Sequence, residues 1–384
     1  MTEIKRFYNP PEGSYFLFGP RGTGKSTWLK NLVHPVLCVD LLDRETFRLY
    51  VARPERLLNL VEAQTAPAYV VLDEVQKIPE LLDTVHQLME KCPQHKFVLT
   101  GSSARKLKRA GVDLLAGRAA HTSMHPFMAA ELGAEFDLDT ALKTGLVPVV
   151  SMAADRYAAR NAYVGLYIDQ EVKTEAMVRD IGGFSRFLEA ISFSHAGILN
   201  ISSVARECQV KRNTVQGYIE VLEDLLLAFR LPVFSRRAKR HLVQHDKFYF
   251  FDAGIFRSVR PSGPLDAPEE MVGAALEGLV AQHLRAWIAY GRRFDTKLYY
   301  WRTKSGVEVD FVIYGEDTLV AVEVKNSRNV HRGDVRALRT FVEDYPQARV
   351  CLLYRGKERL VIDGVVCVPC DEFLLGLRPD QSIM

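Results

Sequence analysis

Long apolar runs are missing from this 384-residue chain, and cysteine is scarce. No uninterrupted apolar stretch approaches the roughly 20 residues that a membrane-spanning helix needs. The first residues, Met1 to Arg6, lack the apolar core of a secretory signal. Six scattered cysteines do not make a disulfide framework for a chain of this length. These absences predict a globular, cytoplasmic protein with no membrane partner.

A strong excess of one charge is also missing, since the formal net charge is only +3. This balance neither requires nor excludes a nucleic-acid partner. Basic residues do cluster at 105–109 and 236–241, although either cluster alone is usually a solvated surface. Cys367 and Cys370 form a CxxC pair with no second pair nearby, so we interpret them as small apolar strand residues and not as zinc ligands.

The most informative motif that is present is a phosphate-binding loop of the GxxxxGKS type. It follows the apolar run 15–18 and leads into a helical-looking segment. The glycines let backbone N–H groups surround phosphates, Lys25 reaches the β and γ oxygens, and Ser26 holds Mg²⁺ at a helix N-terminus. A glycine-rich turn that matches by accident is the alternative. The predicted nucleotide contacts are Gly19, Pro20, Arg21, Gly22, Thr23, Gly24, Lys25, Ser26 and Thr27.

A second apolar run, 68–72, ends in two carboxylates, Asp73 and Glu74. This pattern is expected of a buried parallel strand that delivers acidic residues to its C-terminal edge. We assign Asp73 to the Mg²⁺ shell and Glu74 to polarising the attacking water. The pattern is weak alone, but its place after the phosphate loop makes the two motifs support each other.

A third strand is predicted at 96–100 and is followed by Gly101 and two serines. The hydroxyls of Thr100 and Ser102 are candidates for a hydrogen bond to the γ-phosphate or to the water. The alternative is that these residues cap the following helix, as serine commonly does.

These residues together resemble the AAA+ superfamily, and more narrowly bacterial and archaeal ATPases with LDEVQ, TGSS and LAGR segments. The three segments lie here at 72–76, 100–103 and 115–118, so the resemblance covers roughly residues 1–130. It implies ATP hydrolysis with Mg²⁺, in a homo-oligomer that we expect to be ring-like. Arg118 looks like a γ-phosphate-sensing or finger arginine, against the alternative of an ordinary surface arginine. Arg179 is a weaker candidate, because a surface ion pair is the default in its amphipathic helix.

The middle of the chain has helical periodicity from about 127 to 193, which predicts a helical connector. Residues 200–219 follow with a Ser-capped short helix, a turn and a longer helix, which is the rhythm of a helix-turn-helix. Ala205, Val210, Val215 and Ile219 are predicted to pack the pair. The start of the second helix, where a recognition helix meets DNA, exposes Lys211, Arg212, Asn213 and Thr214.

Two strand-like stretches, 228–234 and 247–251, flank the second basic cluster, so we predict a winged helix. The predicted wing presents basic residues to a phosphate backbone. They are Arg236, Arg237, Lys239 and Arg240. Winged helices also serve as protein-interaction modules, and that alternative stays open here.

The last third begins after the Pro- and Gly-rich stretch 261–268, which predicts a domain boundary. A helix over 270–289 and several strands follow. Glu323 and Lys325 lie two apart, on one face of a strand. If the strand of Asp310 pairs with it as a hairpin, Asp310 and Glu323 supply oxygen ligands for a divalent cation beside an ammonium that activates water.

This spacing resembles the PD-(D/E)xK nuclease superfamily, with Asp310 as the motif aspartate and 323–325 as the (D/E)xK element. Glu277 matches the acidic residue that the superfamily often supplies from its first helix, as in archaeal Holliday-junction-resolving enzymes. Val309 stands where a proline usually precedes the aspartate. The resemblance implies metal-dependent DNA cleavage by Glu277, Asp310, Glu323 and Lys325. A surface charge pair, or a DNA-binding scaffold without cleavage, is the alternative.

The whole chain is therefore predicted to be α/β with three domains: a P-loop AAA+ domain with a parallel sheet (1–130), a helical and winged-helix domain (131–260), and a restriction-endonuclease-like domain (261–384). The predicted function is ATP-dependent processing of duplex or branched DNA, with four-way junctions as the preferred substrate. Two alternatives remain. One is a nucleotide-dependent regulatory or defence switch with a non-catalytic C-terminal domain that binds DNA or protein, and the other is a DNA-binding motor with an inactive nuclease site.

Overall fold

The computed structural model describes residues 4–31, 37–101, 115–168, 180–236, 240, 242, 245–264 and 266–383. Ser102, Arg179, Arg237 and Lys239, which the sequence singled out, lie outside these residues. The chain falls into two compact units. The P-loop unit consists of Tyr8–His125 and Asp224–Leu226, and the larger unit of Met1–Phe7, Pro126–Glu223 and Leu227–Met384. The predicted boundary at 130 lies close to this division, whereas the one at 260 falls inside the larger unit; the three-domain division stays a prediction.

Parallel strands form the centre of the P-loop unit, in the order β2-β3-β4-β1-β5. The strands are β1 (Tyr15–Phe18), β2 (Leu37–Asp40), β3 (Tyr69–Asp73), β4 (Lys96–Gly101) and β5 (Ala120–Ser123). The helices are α1 (Lys25–Asn31), α2 (Arg44–Ala52), α3 (Arg56–Glu62) and α4 (Leu81–Lys91). The predicted strands at 15–18, 68–72 and 96–100 are confirmed. Their side chains are almost entirely buried, as expected where a parallel sheet is covered on both faces.

Helices dominate the first half of the larger unit, as the periodicity at 127–193 predicted. The α-helices described between residues 126 and 290 are α5 (Ala129–Leu132), α6 (Leu138–Thr144), α7 (Pro148–Ser151), α8 (Arg156–Ala162), α9 (Ile181–Ser192), α10 (Ile201–Glu207), α11 (Arg212–Asp224), α12 (Ala253–Val259) and α13 (Pro268–Tyr290). In the part of the chain that the structure describes, none of the helices has both the length and the apolar character required to cross a bilayer.

Helices α10 and α11 form the predicted helix–turn–helix pair. Of the four predicted packing residues, Ala205, Val215 and Ile219 are buried, and Val210 is half-buried. The predicted serine cap was wrong, because the Asn200 side chain accepts the first-turn hydrogen bond from the Ser203 N–H at 3.0 Å. An antiparallel sheet in the order β6-β8-β7 accompanies the pair. Its strands are β6 (Gly197–Ile198), β7 (Ala228–Leu231) and β8 (Lys247–Phe250).

A second sheet, in the order β13-β14-β12-β11-β10-β9, completes the larger unit. Its strands are β9 (Lys297–Arg302), β10 (Glu308–Gly315), β11 (Thr318–Lys325), β12 (Arg349–Tyr354), β13 (Leu360–Ile362) and β14 (Val365–Pro369), with helices α14 (Arg336–Asp344) and α15 (Cys370–Gly376). The predicted hairpin is confirmed, since β10 pairs antiparallel with β11. Cys367 lies in a strand as predicted, but Cys370 begins α15.

The chain that leaves β7 packs onto the second sheet. The backbone N–H of Phe234 donates to the carbonyl of Tyr300 in β9 at 2.6 Å, and Tyr300 N–H donates to Pro232 at 3.1 Å. The Phe234 ring is 1% exposed and lies 5.3 Å from the rings of both Tyr314 and Tyr345. The start of the predicted wing is therefore a core element of the larger unit.

Replacing Phe234 by alanine is expected to lower the free energy of unfolding of the larger unit by about 3–5 kcal/mol, the usual cost of emptying a buried aromatic site. Urea unfolding followed by tryptophan fluorescence measures this, because Trp301 lies in the same cluster. Phe294→Ala is the matched control, since the Phe294 side chain is 81% exposed. Equal midpoints for the two variants would show that Phe234 does not anchor the core.

Candidate functional site

The phosphate loop connects β1 to α1 and depends on glycine at defined positions. Gly22 and Gly24 have φ angles of 77° and 92°, in the region that other L-residues rarely adopt. A Cβ atom on Gly19 would lie 2.5 Å from the carbonyl oxygen of Met124. The backbone of the loop thus takes a shape that only these glycines permit.

The ammonium of Lys25 lies against this loop. Lys25 is 5% exposed, and its Nζ donates to the carbonyl oxygens of Gly19 at 2.6 Å and Pro20 at 3.2 Å. The Thr23 hydroxyl donates to the same Pro20 carbonyl at 2.7 Å. The loop therefore carries a buried positive charge among its backbone groups, which suits a phosphate ligand.

Ser26 and Asp73 meet as the two motifs predicted. The Ser26 hydroxyl, at the start of α1, donates to Asp73 Oδ2 at 2.9 Å. Asp73 ends β3, so the strand edge and the phosphate loop share one location. A hydroxyl and a carboxylate are the oxygen ligands that Mg²⁺ prefers. These two residues fit a Mg²⁺ ion, which would neutralise phosphate charge there.

Thr100 connects the carboxylate of Asp73, the last residue of β3, to the backbone of Glu74. Its buried hydroxyl donates to Asp73 Oδ1 and accepts the backbone N–H of Glu74 at 3.0 Å. Thr100 thus positions Asp73 and Glu74, and its predicted contact with the γ-phosphate stays a prediction. Glu74 adopts a left-handed conformation with φ of 60°, and Gln76 donates to its carboxylate. The sequence contained Gln76 in its LDEVQ segment, but its role as a partner of Glu74 was missed.

Arg118 lies on the surface of the P-loop unit. Its guanidinium donates to Glu90 at 2.7 Å and also contacts His86, both from α4. The charge is therefore compensated inside this chain. A role for Arg118 in sensing phosphate stays a prediction.

A cluster of carboxylates surrounds one buried ammonium in the larger unit, and we call it the Lys247 cluster. Lys247 begins β8 and is 1% exposed. Its Nζ lies 2.5 Å from Glu308, 2.9 Å from Glu277 and 3.2 Å from Asp310. Tyr249 donates its hydroxyl to Glu277 at 2.6 Å. The structure thus brings the predicted residues Glu277 and Asp310 together, around a cation that belongs to the chain.

Burial and charge act in opposite directions on these groups. Burial lowers the pKa of Lys247, but the charges of Glu277, Tyr249, Asp310 and Glu308 outweigh it and leave that pKa well above its usual value. Burial, and then the charge of Asp310, raises the pKa of Glu277 to about 7 although Lys247 lowers it. Lys247 is therefore a charged group, and its carboxylate partners hold it so.

Glu323 and Lys325 lie beside this cluster and pair with each other. The register that pairs Phe311 with Val322 brings Asp310 level with Glu323. Lys325 Nζ donates to Glu323 Oε1 at 2.6 Å, which confirms that the two side chains share a face. Burial, and then the charge of Asp310, raises the pKa of Glu323 well above its usual value. The metal role of Asp310 and Glu323 stays a prediction, and the described residues contain no group of three or more His, Cys, Asp or Glu arranged to hold a metal ion.

Sequence reasoning missed Lys247, Tyr249 and Glu308. A signal was present, because Lys247 opens an otherwise aromatic strand in which a lysine is out of place unless it is paired. Its partners lie 30 to 63 positions further along the chain, so no local spacing pointed to them.

The residues proposed for DNA contact fall into two groups. At the start of α11, Lys211, Arg212 and Asn213 are exposed and Thr214 is half-buried. In the predicted wing, Arg236 stacks over the ring of Tyr314 at 4.7 Å, and Arg240 pairs with Glu343 at 2.7 Å and with Asp344. Arg236 is thus held against β10 and Arg240 against the C-terminal end of α14 by contacts within the chain.

Three family models match successive parts of the chain. Residues 12–133 match an AAA domain, residues 135–266 a domain of unknown function (DUF8612), and residues 272–373 another domain of unknown function (DUF4143). Together with the parallel sheet, the first match supports an AAA+ P-loop ATPase domain at the N-terminal side of the chain. Such domains in general bind a nucleotide with Mg²⁺.

Two relatives are similar over most of their length. They are the uncharacterized proteins Mb2031c of Mycobacterium bovis and Rv2008c of Mycobacterium tuberculosis, each 25% identical over 378 residues, which is 96% of this chain and 82% of the relative. Among solved structures, protein VC1899 from Vibrio cholerae aligns at 11% identity over 95% of this chain and 96% of its own. Its TM-score of 0.22 is too low to assign a common fold.

Proposed function

We propose that the P-loop unit binds and hydrolyses ATP with Mg²⁺. The observation that carries this proposal is the chain of hydrogen bonds from Ser26 through Asp73 and Thr100 to the backbone of Glu74. It connects the phosphate loop to the residue proposed as general base. The AAA domain match over residues 12–133 supports the same activity.

The roles of the residues follow from their positions. Lys25 binds the β- and γ-phosphate oxygens and stabilises the charge that develops on them during transfer. Ser26 and Asp73 hold Mg²⁺, which when bound neutralises charge on the phosphates. Glu74 orients and polarises the attacking water. Gln76 holds the Glu74 carboxylate, so it acts as a positioning residue.

The larger unit, in this proposal, binds duplex or branched DNA. The order α9, β6, α10, α11, β7, β8 with the sheet β6-β8-β7 supports the proposal of a winged helix, in which the second helix of the pair would enter the major groove. The first residues of α11 carry two exposed cations, Lys211 and Arg212. ATP hydrolysis would then act on DNA held by the larger unit, in a cytoplasmic ring-like homo-oligomer to which Arg118 contributes a finger.

Metal-dependent DNA cleavage is the second activity that the sequence predicts, and the Lys247 cluster argues against it. One specific observation thus favours the alternative of a nucleotide-dependent switch with a non-catalytic C-terminal domain: an internal ammonium lies among the carboxylates of the predicted nuclease site. DNA affinity distinguishes ATP-dependent DNA processing from the nucleotide-dependent switch, since only DNA processing requires it.

Removing both charges at the start of α11, in Lys211→Ala with Arg212→Ala, is expected to weaken binding to duplex and four-way DNA uniformly across sequences. Two lost phosphate contacts reduce the slope of log affinity against log salt by about 2. Fluorescence anisotropy at several salt concentrations measures the slope. Lys91→Ala with Lys96→Ala is the control, because it removes the same charge from exposed positions of the P-loop unit. If the wild-type chain binds neither duplex nor four-way DNA, the nucleotide-dependent switch remains as the proposed function.

A further inference from the structure

The Lys247 cluster contains more positive charge than the predicted nuclease site needs. The nuclease resemblance requires one ammonium, which is Lys325, and a divalent cation between the acidic residues. The structure contains a second ammonium, that of Lys247, within 3.2 Å of oxygens from Glu277, Glu308 and Asp310. Three carboxylates from α13 and β10 thus converge on a cation that is covalently part of the chain.

Both oxygens of Asp310 and both oxygens of Glu308 already have partners within the chain. Asp310 accepts from Lys247 through Oδ1 and from the backbone N–H of Val324 through Oδ2 at 2.9 Å. Glu308 accepts from Lys247 through Oε1 and from Arg302 through Oε2 at 2.7 Å. Mg²⁺ usually binds one or two carboxylates and keeps several waters in a near-octahedral shell of oxygens. To coordinate Asp310 or Glu308, it would have to displace the ammonium of Lys247.

Glu277 and Glu323 differ from these two, since one oxygen of each accepts no hydrogen bond from the described residues. Lys247 and Tyr249 both donate to Oε1 of Glu277. Oε1 of Glu323 accepts from Lys325, and its buried Oε2 has no hydrogen-bond partner among the described residues. A divalent cation placed beside it would also face the ammonium of Lys247, which already contacts Asp310, and would be repelled.

We propose that Lys247 takes the place of the divalent cation in this cluster, so that the wild-type chain binds no metal there and does not cut DNA through it. The residues of the nuclease-like pattern then serve to join parts of the larger unit. Lys247 ties β8, which follows the helix–turn–helix pair, to α13 and β10 by buried ion pairs. This inference does not depend on ATP hydrolysis, and it assigns a binding role to the C-terminal part if the DNA proposal holds.

Manganese binding to the nucleotide-free, full-length chain tests the proposal directly. Electron paramagnetic resonance of free Mn²⁺ during titration is expected to show no binding that depends on the cluster, and four-way DNA with Mn²⁺ is expected to remain intact. One Mn²⁺ per chain that is lost in Asp310→Asn, or a cleavage product that is lost in the same variant, would overturn the proposal. This measurement needs no variant of Lys247.

The complementary experiment removes the ammonium and keeps the length of the side chain. Lys247→Met is expected to bind Mn²⁺ at least about tenfold more tightly than the wild type, because a neighbouring like charge no longer opposes the cation. Lys297→Met, which removes an exposed ammonium at the start of β9 and leaves Lys247 in place, is the matched control and is expected to gain no affinity. A folded Lys247→Met chain without any gain would contradict the idea that Lys247 excludes the metal. If this variant does not fold, the wild-type titration still decides.

Discussion

Replacing Glu74 by glutamine is expected to lower kcat for ATP hydrolysis by about 10²–10⁴-fold, the usual contribution of a general base. Glutamine keeps the size of the side chain and a carbonyl oxygen, but it does not accept a proton from water. Binding of ATP is expected to remain within a few-fold of the wild type, since Lys25, Ser26 and Asp73 are unchanged. Phosphate release under saturating ATP measures kcat, and a fluorescent nucleotide measures binding.

Glu80→Gln is the matched control for this variant. Glu80 lies six positions further on, is exposed, and makes no capping hydrogen bond through its side chain at the start of α4. It is expected to hydrolyse ATP at the wild-type rate. Unchanged hydrolysis in Glu74→Gln would move the general base to another residue and would leave the hydrogen bond from Gln76 without a catalytic purpose.

Replacing Lys25 by alanine is expected to lower kcat/KM for ATP by about 10²–10³-fold, the size of losing one well-placed donor to the transition state. In contrast to Glu74→Gln, this variant is expected to lose nucleotide affinity as well, because Lys25 contacts phosphates in the ground state. Lys25→Ala is also expected to lower the stability of the nucleotide-free chain. Lys25 Nζ donates to two loop carbonyls, so its loss removes one donor from Gly19 and one from Pro20, of which Pro20 keeps the Thr23 hydroxyl.

Lys30→Ala is the control, since Lys30 belongs to the same helix α1 but is exposed. Equal affinity for ATP in the Lys25 and Lys30 variants would mean that nucleotide does not bind at the phosphate loop. The comparison of Lys25→Ala with Glu74→Gln thus separates a role in nucleotide binding from a purely catalytic role.

Three strands of the P-loop unit, β1, β3 and β4, were predicted to within a residue or two, whereas β2, β5 and the helices α2, α3 and α4 were not predicted. β1, β3 and β4 are mainly apolar segments of four to six residues, which is the pattern expected of buried parallel strands. The helix–turn–helix pair was recognisable from its packing residues. The residue that caps its first helix is Asn200 and not the expected serine, but the asparagine side chain offers an equivalent acceptor.

The candidate site in the larger unit shows where such reasoning stops. The hairpin of β10 and β11 and the shared face of Glu323 and Lys325 followed from alternation along the strands. The ammonium that enters the cluster did not, because Lys247 belongs to another sheet. Likewise, nothing local indicated that Phe234 would leave the wing and enter the core.

By itself, the amino-acid sequence determined the phosphate loop, the two acidic residues at the end of β3 and the shared face of Glu323 and Lys325, because each depends on neighbours a few positions apart. Only the tertiary structure decided that Thr100 and Gln76 position the carboxylates of the ATP site, and that Lys247 lies where a metal ion was expected. Those contacts join residues far apart in the chain, and a buried charge settles next to whichever opposite charges the folded core brings within reach.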